Sequence, residues 1–130
     1  MPKLTVDGKS GDVPHGQRLV LAIESLGVNI GHRCGGNARC TTCRVQFVDG
    51  EPGTMTEAEY VRLRARDLYG TRRLSCQIVC DHDLSVQPEI TLENQEGWTD
   101  TGPPPDPTVQ PLAEWFPREE LERRNPVETG

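Results

Sequence analysis

An α+β domain, a small curled sheet with helices packed on it, is the fold class this sequence predicts. Three observations carry the expectation: short segments alternating polar and apolar residues, two runs with helical spacing, and no regular strand-helix repeat between them. Lys3-Leu-Thr-Val-Asp7 alternates at period two and stops at Gly8, which reads as a half-buried strand followed by a turn over Gly8 to Gly11. Leu19, Ala22, Ile23 and Leu26 share one helical face, and Gly27 supplies the stop. Residues 31 to 43 hold three glycines without periodicity and form a loop, after which Arg44-Val-Gln-Phe-Val48 resumes strand alternation.

The second helix is expected over residues 57 to 69. Thr56-Glu-Ala-Glu59 fits a capping box, and Gly70 suits a C-terminal cap. Its underside is read as Ala58, Val61, Ala65 and Leu68, with Glu57, Glu59, Asp67, Arg62, Arg64 and Arg66 on a solvated face. Arg73 to Ile78 and Leu84 to Pro88 read as short strands separated by a polar turn at Asp81-His-Asp83.

The length of 130 residues suits one compact domain. No apolar run approaches the roughly 18 residues that span a bilayer, and Met1-Pro-Lys-Leu-Thr-Val6 lacks the blocks of a signal peptide, so a cytoplasmic protein with no membrane role is expected. The net charge of −6 is uneven: residues 1 to 93 carry 11 basic against 12 acidic side chains, and residues 94 to 130 carry 3 against 8. Such a balance disfavours a nucleic-acid footprint, which needs a basic patch for phosphates.

Five cysteines without an export signal argue against a disulfide framework, because reducing compartments keep thiols free and an odd count leaves one over. Cys34, Cys40 and Cys43 follow the frame C-x5-C-x2-C on the glycine-rich loop, and Cys76 stands apart downstream. Three thiolates on one loop and a fourth from elsewhere in the fold suit a [2Fe-2S] cluster, whose two irons offer four terminal positions. The glycines have work to do in this reading: the oxidised cluster with four thiolates is an anion, and Gly35 and Gly36 let backbone amides approach its sulfurs. Arg33, Arg39 and Arg44 add positive charge to the same loop or point into solvent. A zinc site would pair two short chelates, which Cys76 and Cys80 at C-x3-C do not supply. Thiol exchange at Cys40-Thr-Thr-Cys43 would need the motif to open a helix directly after a strand. Cys80 could replace Cys76 but reads as a small buried hydrophobe, and His15, His32 and His82 read as ordinary solvated or loop histidines.

Cys34-Gly-Gly-Asn-Ala-Arg-Cys-Thr-Thr-Cys-Arg-Val45, with Arg73-Leu-Ser-Cys-Gln77 downstream, resembles the bacterial [2Fe-2S] ferredoxins over residues 1 to 93. The resemblance implies a β-grasp fold, a [2Fe-2S] cluster on Cys34, Cys40, Cys43 and Cys76, and single-electron shuttling between a ferredoxin reductase and an acceptor protein. By the same analogy Cys34 and Cys40 would hold the outer iron, and Cys43 and Cys76 the inner one. Five residues between the first two ligands are similar to the adrenodoxin and putidaredoxin group, whereas the plant type has four. The 32 residues between Cys43 and Cys76 are fewer than adrenodoxin itself implies, and the mixed charge of the second helix does not carry over a cytochrome P450 partner.

No acid-base pair or nucleophile accompanies the cysteines, so a carrier rather than an enzyme is expected. The alternatives are a structural metal-binding interaction module, or a dedicated electron-transfer subunit of a larger oxygenase or dehydrogenase. Residues 94 to 130 lie outside the family pattern and form a Pro-rich acidic arm: Gly102-Pro-Pro-Pro-Asp-Pro107 and Pro111 make a stiff spacer, and Arg118 to Arg124 could add a short helix after Pro117. Trp98, Trp115 and Phe116 supply three of the six aromatic rings, which favours docking on this domain or self-association with a second copy over a partner-binding tail.

Overall fold

The structure is a computed structural model, and it describes residues 2–32, 41–102, 108–109 and 114–124. The chain opens with β1 (Lys3–Val6) and β2 (Lys9–Asp12), paired antiparallel. The turn expected over Gly8 to Gly11 is therefore shorter, and most of that stretch is strand. Asp7 (φ 48°) and Gly8 (φ 86°) complete the reversal by themselves, both central residues taking the positive φ that suits a two-residue hairpin turn.

Helix α1 (Leu19–Ser25) buries Leu19, Val20, Ala22 and Ile23 and stops at Gly27 (φ 85°). Then come β3 (Arg44–Asp49), β4 (Thr54–Thr56), α2 (Glu57–Ala65), β5 (Arg73–Leu74) and β6 (Leu84–Pro88). The main sheet has the order β2-β1-β6-β3-β5. Strand β6 lies centrally, parallel to β1 and antiparallel to β3, and buries Leu84 and Val86. This mixed sheet with α1 packed on its core is a β-grasp arrangement, the α+β class expected.

Helix α2 departs from the expectation at both its end and its buried face. Its last residue is Ala65, because Asp67 takes φ 58° and the Leu68 and Asp67 amides donate to the Leu63 and Arg64 carbonyls, which closes the helix in a Schellman motif. Gly70 belongs to the next turn. Thr56 does cap the helix, accepting from the Glu59 amide at 3.1 Å, but the Glu59 carboxylate turns inward instead of back to the cap. The buried residues are Glu59, Tyr60 and Leu63, while Val61 is 52% exposed. Apolar periodicity puts this face on nearly the opposite side of the helix, where Val61 and Ala65 are exposed, because the helix buries a carboxylate whose partner lies elsewhere in the chain.

That partner is Arg73. Its Nε and Nη2 donate to Glu59 at 2.8 and 3.1 Å, and the remaining donors reach the carbonyls of Pro52 and Thr54. Glu59 also accepts the Leu74 amide at 2.8 Å. One ion pair thus fastens α2, the approach to β4 and the start of β5 together. After Leu74 the chain tightens into a 3-10 turn over Ser75–Gln77, where a strand through Ile78 was expected.

Beyond residue 94, the described residues 115–124 pack back on the earlier part of the chain. Strand β7 (Trp115–Pro117) pairs antiparallel with β4, and α3 (Arg118–Arg124) follows directly. Leu121 is fully buried and joins the core cluster that also contains Met55, Tyr60 and Leu63. The Arg118 guanidinium lies 5.1 Å from the centre of the Tyr69 ring and 3.0 Å from Glu51, and the Tyr69 hydroxyl donates to Glu122 at 2.6 Å. Trp115 donates its indole N–H to the Gln77 carbonyl at 3.0 Å. The expected proline spacer, residues 103–107 and Pro111, lies outside the described residues.

Glu59→Ala strands the Arg73 guanidinium in the core and is expected to cost about 3 to 5 kcal/mol. Arg72→Ala, at the half-exposed pair with Glu89, is expected to cost less than about 1 kcal/mol. Urea denaturation of the two variants measures the contrast. A pH effect is expected at His82, whose imidazole pKa is raised by its hydrogen bond with the Gly50 carbonyl and then by Asp81. A raised folded value means that the contribution is complete below the unfolded value of about 6.5. It fades as pH rises through the folded value. The stability gap between the wild type and His82→Gln, followed by thermal melts across this range, should close toward alkaline pH.

Candidate iron-sulfur site

The loop preceding β3 is built around an unusual backbone. Thr41 sits at φ 58°, a left-handed conformation that a β-branched residue takes only under outside restraint. Its carbonyl accepts the Arg44 amide at 3.1 Å, and its hydroxyl accepts from Arg44 Nη1 at 3.3 Å. The turn delivers Cys43 into the interior, only 3% exposed.

Cys76 reaches the same region from the 3-10 turn after β5 and is fully buried. The Ser75 amide and hydroxyl both donate to the Cys43 carbonyl, at 3.2 and 2.7 Å, so the two cysteine segments are joined although 32 residues separate them. The Gln77 side-chain amide lies 3.6 Å from Cys76 Sγ and directs an N–H at the sulfur. Gln77 itself is held by Thr56, whose hydroxyl donates to Oε1 at 2.8 Å.

These features suit a metal-sulfur group. Two buried cysteines on adjoining segments, neither in a disulfide and one with an amide directed at its sulfur, can act as thiolate ligands when a metal offsets the charge. Amide donors are also the partners that cluster sulfurs take. Cys34 and Cys40, with Gly35, Gly36, Arg33 and Arg39, lie outside the described residues. Of the loop arginines the structure therefore describes Arg44, whose Nε lies 3.2 Å from Glu89. The carboxyl of Glu89 is held below its usual range, chiefly by the hydrogen bond from Arg72.

Cys80 is held by a different set of backbone contacts. Its backbone bonds to Gln17 and Gly16 near the start of α1, at 2.8 and 2.7 Å, and the residue is fully buried. Burial, with Asp81 adding to it, pushes the thiol up to about 12. A neutral thiol packed among apolar groups is the state this environment favours.

Of the solvated or loop histidines expected, His32 is a loop residue and is buried. It is 3% exposed, its Nε2 lies 3.1 Å from Glu24 and 3.0 Å from the Thr101 hydroxyl, and its amide donates to the Thr101 carbonyl. The later part of the chain thus braces the segment entering the cysteine loop. Arg18, fully buried, donates from Nε and Nη2 to the Cys76 carbonyl at 3.0 and 2.6 Å. Neither partnership is visible in sequence pattern. The one available signal was an arginine placed directly before the apolar run of α1.

Comparison with known proteins agrees with the fold. The family model described as a 2Fe-2S iron-sulfur cluster binding domain matches residues 4–81, so the chain belongs to this family. It is 34% identical over 89 residues to one component of the Na(+)-translocating NADH-quinone reductase of Chlamydia pneumoniae, an alignment covering 68% of this chain and 20% of that protein. The chain thus spans about a fifth of the length of that curated relative. Among solved structures it is similar to a ferredoxin from Rhodopseudomonas palustris HaA2, with 30% identity, a TM-score of 0.51, and coverage of 69% of this chain and 99% of that one. The ISC-like [2Fe-2S] ferredoxin of Pseudomonas putida JCM 20004 shares the fold at TM-score 0.57 and 24% identity, over 67% of this chain and 91% of that one. Residues 4–81 thus form a [2Fe-2S] cluster-binding domain of the bacterial ferredoxin type.

Gly31 tests how tightly the approach to this site is packed. A Cβ there would lie 2.9 Å from the Thr42 carbonyl oxygen and 3.2 Å from the Trp98 ring, whereas one at Gly53 meets open space. Gly31→Ala is expected to cost about 1 to 3 kcal/mol through overpacking. Gly53→Ala should leave stability nearly unchanged, and thermal bleaching of the visible absorption compares the two.

Proposed function

We propose that Cys34, Cys40, Cys43 and Cys76 supply the four thiolates of the [2Fe-2S] cluster, and that residues 1 to 93 form the carrier domain while 94 to 130 form an arm serving it. The observation that carries the assignment is the double hydrogen bond from Ser75 to the Cys43 carbonyl, which brings the Cys43 and Cys76 segments together in the interior. Held by these cysteines, a [2Fe-2S] cluster would supply one-electron redox chemistry. The chain's part is to hold the thiolates in the interior, direct the Gln77 amide at Cys76 Sγ and keep water from the buried half of the site.

In this reading the protein takes electrons from a ferredoxin reductase and passes them to an acceptor protein, without a substrate chemistry of its own. We place it in the cytoplasm, in keeping with a chain that uses its cysteines as ligands and not as a disulfide framework. None of the described helices is long and apolar enough to cross a membrane. A second reading, a dedicated electron-transfer subunit of a larger complex, is favoured by the Chlamydia relative, which is by name one component of a quinone reductase and much longer than this chain.

The anaerobically purified protein is expected to be red-brown, with two irons and two sulfides per chain, a paramagnetic signal after one-electron reduction, and a negative midpoint potential. Serine at Cys34, Cys40, Cys43 or Cys76 should abolish or severely destabilise the visible spectrum, while Cys80→Ser keeps it. A colourless protein with one zinc would overturn the reading. Loss of colour in Cys80→Ser together with its retention in Cys76→Ser would transfer the fourth ligand to Cys80. Co-purification with a stable oxidoreductase assembly would favour the subunit reading over a free carrier.

A further inference from the structure

Arg18 is a fully buried cation beside one proposed ligand. Its Nε and Nη2 converge on the single carbonyl of Cys76 at 3.0 and 2.6 Å, and its Nη1 donates to the Thr108 carbonyl at 3.3 Å. Burying a guanidinium is costly unless its fork is well satisfied. Directing two donors at one carbonyl anchors the tight turn from which the Cys76 side chain leaves. Because the anchored atom belongs to Cys76 itself, the positive charge also stands close to the ligand sulfur in a medium of low dielectric constant. There it favours the redox state with one more negative charge.

The second partner gives this arrangement reach. Thr108 lies beyond residue 94, and its neighbour Val109 is 5% exposed, so the arm is seated where it touches the guanidinium. We infer that Arg18 is a positioning residue of the cluster site: it anchors the Cys76 carbonyl, holds a positive charge beside this proposed ligand residue, and makes the reduction potential depend on how the arm is seated. This inference rests on the assignment of Cys76 as a ligand.

Spectroelectrochemical titration of the full-length holoprotein tests it. Arg18→Met should move the midpoint potential to a more negative value and shorten the lifetime of the cluster severalfold. Arg18→Lys keeps the charge but cannot reproduce the planar fork. It should therefore recover most of the potential while its cluster lifetime stays short. Val109→Ala should shift the potential in the same direction as Arg18→Met, by less.

A wild-type potential in loaded Arg18→Met, or a lysine variant no closer to the wild type than the methionine variant, would overturn the electrostatic role. An unchanged potential in Val109→Ala would overturn the link to the arm. Should Arg18→Met fail to take up a cluster, the lysine variant decides: a wild-type cluster lifetime there removes the anchoring role. Retention of the visible spectrum in Cys76→Ser would instead defeat the ligand assignment on which the inference rests, whatever the potentials show.

Discussion

The buried ion pair of Glu59 and Arg73 is the interaction on which the rest of the molecule depends. Burying a carboxylate is tolerable only when its lone pairs are filled, and Glu59 fills them with two donors from Arg73 and the Leu74 amide. Those bonds set where β5 begins and therefore where the following 3-10 turn places Cys76. The remaining Arg73 donors hold the carbonyls on either side of Gly53, and this segment leads into β4. Strand β4 is in turn the edge against which β7 lies. One pair thus governs both a proposed ligand and the surface to which the later chain attaches.

A second tier of polar contacts fixes the site itself, and most of it runs through backbone carbonyls. Ser75 holds the carbonyl of Cys43, Arg18 holds that of Cys76, and Trp115 holds that of Gln77. Holding a ligand residue by its main chain leaves its sulfur available for metal while restricting the direction from which it can approach. A protein that changes charge by one electron without changing ligands benefits from such restraint, because a site that reorganises little exchanges electrons with little delay.

The [2Fe-2S] class and the principal strands β1, β3 and β6 were legible because each is marked by residues close together in sequence. Local turn chemistry also marked the start of α2 at Thr56. The buried face of that helix was hidden, since it includes Glu59, whose burial makes sense only once Arg73, 14 positions away, is beside it. The place of β5 was obscured for the same reason: Leu74 is held by a helix side chain and Ser75 by the Cys43 carbonyl, so alternation ends after two residues. His32 and Arg18 gave no warning of their burial because their partners, Glu24, Thr101, Cys76 and Thr108, come from separate parts of the chain. Sequence periodicity reports which residues avoid water. It does not report which charged residues have found a partner that lets them leave it.

The full burial of Leu121 has a consequence for the order in which the protein is made. Synthesis runs from the N-terminus, and the ligand cysteines proposed here emerge well before Leu121. Until α3 leaves the ribosome, the apolar surface around Met55, Tyr60 and Leu63 lacks the side chain that completes it, and the edge of β4 has no partner in β7. An unpaired edge beside exposed apolar groups invites association between nascent chains. The interval between the appearance of Cys76 and that of Leu121 is therefore the stage at which a chaperone, or early arrival of iron and sulfide, would matter most to the yield of folded protein.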